Sequence, residues 1–251
     1  MSGHSKWAQI KRAKGVTDAK RGNMFTKLAR EIMVAVRQGG PSPEGNFRLR
    51  LVIQKARENN MPFENIKRAI EKASGTGEGA TLQEVVMEGY GVGGVAVILD
   101  ATTDNRNRLV QELRTAFTHH GGNLGENGSV SWLFDVRGTI TVDSKGKDAD
   151  DIALYAIDAG ADDVSVGEGY VEVYTSPQSV ESVRKNLVDG RGLTITSTEV
   201  SRVPKSTVDL DEKHALQVLK LLDSLEELDD VQRVSSNANF SDAILAKYAE
   251  G

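Results

Sequence analysis

The sequence has no cysteine, few prolines (5 of 251 residues) and few aromatic residues (5%). Without cysteine the chain cannot form disulfides, Cys-ligated zinc, iron-sulfur sites or a thiol nucleophile. Long apolar runs are missing too: Val95 to Leu99 spans five residues, whereas a transmembrane helix needs roughly 18. The first residues carry no signal-peptide or lipidation pattern. These absences predict a cytoplasmic protein that does not enter a membrane.

Motifs for catalysis and for metal or nucleotide binding are missing as well. The run from Gly89 to Gly94 matches G-x-G-x-x-G, but a strand rather than a helix follows it, so we interpret it as a hairpin connection. The four histidines lack metal-ligand spacing, and the acids around Asp150 and Asp162 lack the glycine of a calcium loop. The sequence therefore predicts no catalytic residues, no bound metal, no cofactor and no small-molecule substrate.

What the sequence does contain is a strong separation of charge. The formal net charge is −5, but the first 80 residues hold 16 Lys and Arg against 7 Asp and Glu, a net of +9. The residues from Thr81 onward hold 15 against 29, a net of −14. The N-terminal third is therefore basic although the net charge of the whole chain is negative. Such a separation indicates a nucleic-acid or membrane-surface partner at the basic end.

The positive charge is densest in residues 1 to 30, where eight Lys and Arg oppose one acid, Asp18. Trp7 lies among these cations; Lys and Arg neutralise phosphates, and an indole stacks on an unpaired base. Farther along, Arg106 and Arg108 begin a predicted helix, where their charge opposes the helix dipole and indicates an anionic partner. We predict the following nucleic-acid-binding residues: His4, Lys6, Trp7, Lys11, Arg12, Lys14, Lys20, Arg21, Lys27, Arg30, Arg106 and Arg108.

Both groups of cations also have a structural interpretation. The basic N-terminal segment is alternatively a solvated tail whose Trp7 packs on the neighbouring helices. Arg106 and Arg108 are alternatively surface residues paired with Glu112 and nearby acids. The sequence leaves these alternatives open.

Three predicted helices occupy the N-terminal third. The third has the most regular apolar stripe, which we assign to the core: Phe63, Ile66, Ala69, Ile70 and Ala73. Met61, in the turn before it, is expected to be buried as well. Residues 74–79, rich in Gly, Ser and Thr, are typical of a linker. The first predicted helix runs from Thr17 to Gly39. The second begins after Pro43 and ends at Asn60, and the third runs from Pro62 to the linker.

After the linker, short β-branched strands alternate with helices, which is typical of α+β domains. A hairpin over residues 82–101 precedes a predicted helix (Asp104 to His120) and a strand (Val130 to Val136). The next stretch has the order βαββαβ of a ferredoxin-like domain: strand Thr139 to Val142, helix Asp150 to Ala159, strands Asp163 to Val166 and Tyr170 to Tyr174, helix Pro177 to Val188, and strand Leu193 to Val203. A helix over 210–228 and a strand over 231–236 would complete the first domain.

The predicted fold class is therefore a multidomain α+β protein. It has an N-terminal three-helix bundle followed by two ferredoxin-like α+β domains, the second inserted in the first. The predicted bounds are residues 1–77 for the basic arm and bundle, 78–135 plus 205–251 for the discontinuous domain, and 136–204 for the inserted domain.

Six short motifs spread over the chain are similar to those of a known family. They are Ser2-Gly3-His4-Ser5-Lys6-Trp7 with Ile10-Lys11, Thr26-Lys27-Leu28 with Arg30-Glu31, Asn60-Met61-Pro62, Glu88-Gly89-Tyr90-Gly91, Thr103-Asp104-Asn105 with Arg108, and Gly121-Gly122-Asn123-Leu124. Together they resemble the YebC/PmpR family over essentially the whole chain, with Ser2 in place of a frequent Ala.

The resemblance implies three domains around a cleft and no enzymatic activity. It further implies one of two roles. One is a DNA-binding transcriptional regulator. The other is a translation factor that acts on the ribosome, including at stalled proline-rich stretches, and is related to the mitochondrial translational activator of cytochrome c oxidase.

The leading hypothesis is a non-enzymatic regulator of gene expression that binds DNA or ribosomal RNA, with the ribosome as a further partner. A DNA-binding protein would read base edges from a helix, and the third helix offers Lys67, Arg68 and Lys72 for phosphates but few base readers. Looped RNA instead suits a basic arm that carries Trp7. The rival hypotheses are a protein-interaction module with no direct nucleic-acid contact and an enzyme that uses the interdomain cleft.

Overall fold

The structure is a computed structural model that describes residues 18–75 and 82–250. Most of the predicted linker, residues 76–79, lies outside these ranges. The chain divides into two compact units: residues 134–203 form one, and the other described residues, up to Leu133 and from Pro204, form the second. The helical bundle thus shares a unit with the first α+β domain. No helix in the described ranges is both long and apolar enough to cross a membrane.

Three helices form the N-terminal bundle: α1 (Asp18–Gly39), α2 (Phe47–Glu58) and α3 (Phe63–Ser74). Their apolar residues recur at steps of three and four and so lie on one face of each helix. The shared core contains Leu28, Ile32, Leu49, Val52 and Ile66. Asn46 caps α2 by accepting a hydrogen bond from the Leu49 amide (3.0 Å) and donates to the carbonyl of Ala35 (2.7 Å). This buried amide therefore connects the end of α1 to the start of α2.

The end of this core differs from the predicted stripe: Phe63 is 63% exposed, whereas Met61 is buried. Asn60 has a left-handed backbone (φ 58°), and the Met61 amide donates to the carbonyl of Ala56 (2.9 Å). This Schellman arrangement ends α2 and turns Met61 into the core. The burial prediction is confirmed for Met61 and wrong for Phe63, because a periodic stripe does not show where the core beneath it ends.

Strands and helices alternate in the rest of the described chain, with 3-10 turns at Val92–Gly94 and Ser131–Leu133. The elements are β1 (Gln83–Tyr90), β2 (Ala96–Thr103), α4 (Arg106–His119), β3 (Asn123–Leu124), β4 (Phe134–Asp143), α5 (Ala149–Asp158), β5 (Asp163–Gly167), β6 (Tyr170–Thr175), α6 (Val180–Arg191), β7 (Ile195–Pro204), β8 (Val208–Asp209), α7 (Glu212–Glu227), β9 (Val231–Ser236), β10 (Ala238–Asn239) and α8 (Asp242–Glu250).

The first α+β domain has a four-stranded sheet in the order β3-β1-β2-β9. β1 and β2 form an antiparallel hairpin in which Met87 lies opposite Leu99. Alternate residues of β2 (Val97, Leu99 and Ala101) join a core with the apolar faces of α4 and α7. Because α7 and β9 follow residues 134–203 along the chain, this domain is discontinuous.

Residues 134–203 fold around a sheet of order β5-β6-β4-β7. The central strands β4 and β6 are antiparallel, with Ile140 opposite Val173, and both of these residues are fully buried. Strand three of this unit (β6) lies between strand two (β5) and strand one (β4), and strand four (β7) flanks strand one, which is the ferredoxin-like arrangement of a βαββαβ chain. The predicted fold class is confirmed.

Two local predictions are wrong in the stretch that joins the domains. The strand expected over Val130 to Val136 is a 3-10 turn followed by the start of β4, and β4 continues through Gly138 into the next predicted strand. In the sequence, Gly138 suggests that one strand ends and another begins. In the structure the strand continues, and the glycine lets the backbone lie close to Thr175, because a Cβ there would be 2.5 Å from Oγ1 of Thr175. The sequence pattern also missed α8, which packs Leu245 against the core of the first α+β domain.

Candidate nucleic-acid interface

The predicted contact residues are not equivalent in the structure. His4, Lys6, Trp7, Lys11, Arg12 and Lys14 precede the described residues, and the side chain of Lys20 is outside the description as well. Their contact with nucleic acid stays a prediction. The remaining five residues lie on α1 and α4, and their surroundings separate those at the surface from those bound within the protein.

Lys27 and Arg30 of α1 contact the segment at the end of α7. Nζ of Lys27 donates to the carbonyl of Glu226, and Nη1 of Arg30 donates to the carbonyl of Asp229 (2.8 Å). Cations are favoured at a helix C-terminus because the last carbonyls carry partial negative charge. Both side chains are half-buried. These two cations thus fasten the bundle to the first α+β domain.

The carboxylate of Asp230, which directly precedes β9, is the centre of this contact and is buried. Oδ1 accepts a hydrogen bond from Arg30, while Oδ2 accepts from Arg108 Nη2 and from Thr103 Oγ1, each at 2.6 Å. Burial by itself would raise the pKa of Asp230, but the hydrogen bonds from Thr103, Arg108 and Arg30 outweigh it and lower the pKa. One buried anion therefore holds two of the predicted contact arginines.

Arg106 and Arg108 differ although they occupy the same first turn of α4. Nη2 of Arg108 also contacts Oδ1 of Asp104 (2.8 Å), and hydrogen bonds to Asp230 and Asp104 raise its pKa. Its nearest approach to Glu112 is 3.9 Å. Arg106 is exposed and forms no ion pair with any described residue. Internal pairing thus accounts for Arg108, and Arg106 remains a surface cation.

The bundle also has exposed cations that are not among the predicted contact residues. Within the described ranges, four of them form neither an ion pair nor a side-chain hydrogen bond: Arg37, Arg57, Arg68 and Lys72. Arg50 is also exposed, and it donates to the backbone carbonyls of Pro43 and Glu44. Arg68 and Lys72 are four residues apart and share one face of α3. By contrast, Arg48 and Lys55 bind Glu84 and Glu31. Helical periodicity could have identified the exposed set, since each member lies opposite or beside the apolar stripe.

An open cleft lies at the end of the bundle where α1 begins. It is lined by Arg21, Met24, Phe25, Glu58, Asn59, Asn60 and Pro62. Arg21 is the one predicted contact residue that reaches this cleft among those described. The side chains around it combine a cation, apolar surface and amides, which can bind phosphate, base faces and base edges, with one carboxylate, that of Glu58.

The glycine-rich motif after Glu88 has a structural role. The Glu88 carboxylate is buried and accepts hydrogen bonds from the amides of Gly128, Val130 and Ser131 at 2.7 to 2.8 Å. Burial acts to raise its pKa, and these backbone hydrogen bonds lower it overall. The hydroxyl of Tyr90 adds a bond to the loop at the Ser129 carbonyl (2.7 Å). The run opens a 3-10 turn and then a strand, which confirms the hairpin interpretation over a dinucleotide site.

The histidines and acids that the structure describes are spread over separate places in the fold. In the described ranges, no three His, Asp or Glu side chains are grouped so as to hold a metal ion. Nε2 of His120 lies 2.8 Å from Oγ of Ser224, and Asp148 caps α5 by accepting from the amide of Asp150 (2.9 Å). Asp148 is therefore a helix-capping carboxylate rather than part of a metal site.

Comparison with known proteins covers nearly all of the chain. Residues 5–76 match the family model of the TACO1/YebC protein N-terminal domain, and residues 82–238 match that of the TACO1/YebC second and third domain. A probable transcriptional regulatory protein of Dehalococcoides mccartyi is 58% identical over 248 residues, which are 99% of this chain and 98% of the relative. Another from Herpetosiphon aurantiacus is 51% identical over 251 residues, covering 100% and 99%.

A solved structure supports the same relationship. The crystal structure of a conserved hypothetical protein from Aquifex aeolicus aligns with a TM-score of 0.81 at 49% sequence identity. The alignment covers 88% of this chain and 91% of that chain.

Proposed function

Because the chain belongs to the TACO1/YebC family, we propose that it is a regulator of gene expression that binds nucleic acid and catalyses no reaction. The names of its relatives support a regulatory role, since they are probable transcriptional regulatory proteins. The observation that carries the nucleic-acid part is the charge separation, +9 in the first 80 residues against −14 in the rest. Polyanions bind chiefly through Lys and Arg, and the acidic domains repel them.

The proposed contact surface is the basic arm (residues 4–14, with His4, Lys6, Trp7, Lys11, Arg12 and Lys14) together with exposed cations of the bundle. Lys20 and Arg21 continue this surface into α1. Arg57, Arg68 and Lys72 extend it over α2 and α3. We assign Lys27, Arg30 and Arg108 to the internal contacts described above, and Arg106 to a secondary position on the first α+β domain.

Two targets fit this surface. Duplex DNA would engage the cations of α3 along its phosphates, as expected of a transcriptional regulator. Ribosomal RNA would engage the arm through phosphates and unpaired bases, as expected of a translation factor on the ribosome. Crosslinking in cells, followed by sequencing of the attached nucleic acid, separates the two because promoter DNA and ribosomal RNA give distinct products.

The salt dependence of binding tests the proposal. Neutralising Lys11, Arg12 and Lys14 together with Gln should weaken binding and reduce the log-log salt slope by up to about 0.9 per lost DNA phosphate contact, or about 0.7 on single strands. The matched control neutralises Lys145, Lys147 and Lys185, which are exposed lysines of residues 134–203, and should leave the slope unchanged. Equal slopes for both triple variants would contradict the assignment of the arm.

A protein-interaction module is the second candidate. It is favoured by two exposed apolar side chains on α5, Leu154 (68% exposed) and Ile157 (45%), since exposed apolar groups can mark protein contacts. If the full-length protein binds neither duplex DNA nor ribosomal RNA at low salt, the nucleic-acid proposal fails and this candidate takes its place.

A further inference from the structure

Phe63 is an aromatic residue whose position the apolar pattern does not explain. It begins α3 with 63% of its surface exposed, although it lies on the side of the helix that carries the apolar stripe. Met61 occupies the core position at this end of the bundle instead. The ring therefore contributes little to the bundle core, and its large apolar face is available to a partner.

The groups beside Phe63 are suited to a nucleotide. Pro62 and Asn60 line the open cleft together with Arg21 of α1. Asn60 is exposed and its side-chain amide makes no hydrogen bond to any described residue. Lys67 lies one helical turn after Phe63 and is more than half exposed. Phe63 thus directly follows Pro62 at the edge of a cleft that holds the Asn60 amide, Arg21 and the carboxylate of Glu58, and Lys67 lies one turn farther along α3.

We propose that Phe63 and this cleft bind an unpaired base of single-stranded or looped RNA. The ring would stack on the base, the Asn60 amide would hydrogen-bond to the base edge, and Arg21 and Lys67 would contact the flanking phosphates. This inference rests on the proposed function and narrows it, because stacked bases of a duplex do not offer their faces to a side chain.

Charge favours a nucleic acid over an apolar protein segment as the occupant. Residues 18–75 carry 12 Lys and Arg against 6 Asp and Glu, a net of +6. The positive charge attracts a polyanion, whereas an apolar protein segment would be stabilised only by its contact with the Phe63 ring. Base stacking on an aromatic side chain also tolerates any base sequence, so one exposed ring is sufficient for it.

Fluorescence anisotropy with three probes tests the proposal: unstructured oligouridine RNA, an RNA hairpin with a large loop, and blunt duplex DNA. Phe63→Ala should weaken binding of the two RNAs by about 5- to 150-fold, the range for loss of one stacked base. The salt slope should stay unchanged because no charge is removed. Phe63→Trp keeps an aromatic ring and should therefore bind both RNAs as tightly as the unmodified protein does. The affinity for duplex DNA should be the same for both variants and the unmodified protein.

Leu154→Ala is the matched control, since it removes a similarly exposed apolar side chain from residues 134–203. Asn60→Gly is a second variant that keeps the left-handed backbone and removes the amide; it should weaken RNA binding without loss of folding. Circular dichroism confirms that each variant is folded.

The outcomes separate the two proposals. If the unmodified protein binds RNA but Phe63→Ala and Asn60→Gly behave like Leu154→Ala, the base-binding site is refuted and the proposed function stands. An equal loss on duplex DNA and RNA also refutes it, because stacking on an unpaired base would then not be the cause. If the unmodified protein binds no nucleic acid, the proposed function itself fails.

Discussion

Replacing Asp230 with Asn tests whether one buried carboxylate holds the bundle to the first α+β domain. The change preserves the size of the side chain but removes its charge. Arg30 and Arg108 lose their shared counter-ion. The NH2 group of the new Asn side chain replaces either Oδ1 or Oδ2, so a hydrogen-bond donor then faces the guanidinium of Arg30 or of Arg108. The Thr103 hydroxyl loses its acceptor if that NH2 takes the place of Oδ2.

The expected cost follows from burial. Removing one partner of a buried ion pair typically costs about 3 to 5 kcal/mol, because the remaining charge is left without compensation. The side chains of Arg30 and Arg108 are 20% and 42% exposed, whereas that of Asp230 is 2% exposed. Both arginines can recover part of their hydration, so we expect about 3 kcal/mol, the lower end of that range.

Urea unfolding followed by circular dichroism measures the total effect, and hydrogen exchange locates it. Faster exchange is expected in α1 and β9, while residues 134–203 form a separate compact unit and serve as an internal control. Asp104→Asn is the matched variant: its carboxylate also binds Arg108 but is 36% exposed, so it should cost under about 1 kcal/mol.

The pH dependence gives an independent check on Asp230. Its pKa is lowered in the folded protein, so its contribution to stability is present above the unfolded value of about 3.9 and is lost as the pH falls toward the folded pKa. Asp230→Asn should remove this part of the acid sensitivity. The reasoning is refuted if Asp230→Asn costs no more than Asp104→Asn, or if adding Arg30→Gln to it costs the full sum of both single changes.

Three further predictions concern side chains outside this contact. Glu88→Gln should destabilise the protein by about 1 to 3 kcal/mol in urea unfolding, because an amide cannot accept all three backbone hydrogen bonds at once; no change would contradict the role of this carboxylate. Met61→Ala should cost about 2 to 5 kcal/mol, whereas Phe63→Ala should cost far less, and a reversed order would refute their assigned burial. His120 has a lowered pKa through burial and the charges of His119 and Lys220, so the unfolded chain binds the proton more readily and stability should fall as the pH drops below about 6.5. His120→Gln should flatten that part of the urea midpoint-against-pH curve.

Several motif residues within the described ranges belong to the internal framework of the fold. Arg30, Thr103 and Arg108 surround the Asp230 carboxylate. Gly122 allows a close approach, since a Cβ there would lie 2.4 Å from the Tyr90 carbonyl. Such residues identify the fold, because their geometry is shared by any chain that adopts it. The exposed bundle cations Arg57, Arg68 and Lys72 lie outside these motifs, whereas His4, Lys6, Trp7 and Lys11 of the proposed arm belong to the first of them.

Much of the secondary structure could be predicted because it depends on local pattern. The bundle helices and the βαββαβ order follow from spacing of apolar residues, Gly and Pro signals and β-branched runs. Two features could not be predicted in this way. In the sequence, a glycine that allows close backbone packing, such as Gly138, cannot be distinguished from a glycine in a turn. The nine residues of α8 are too few to show a clear helical pattern.

The sequence by itself determined the fold class, the absence of cysteine chemistry and the separation of basic and acidic segments, since these depend on composition and short-range spacing. The tertiary structure decided which cations are available. Arg30 and Arg108 have the same charge as Arg106, yet the buried Asp230, some 200 and 122 residues away along the chain, neutralises the first two and not the third. It also decided that Met61 and not Phe63 fills the end of the core. Both outcomes depend on which distant residues meet, and no local pattern contains that information.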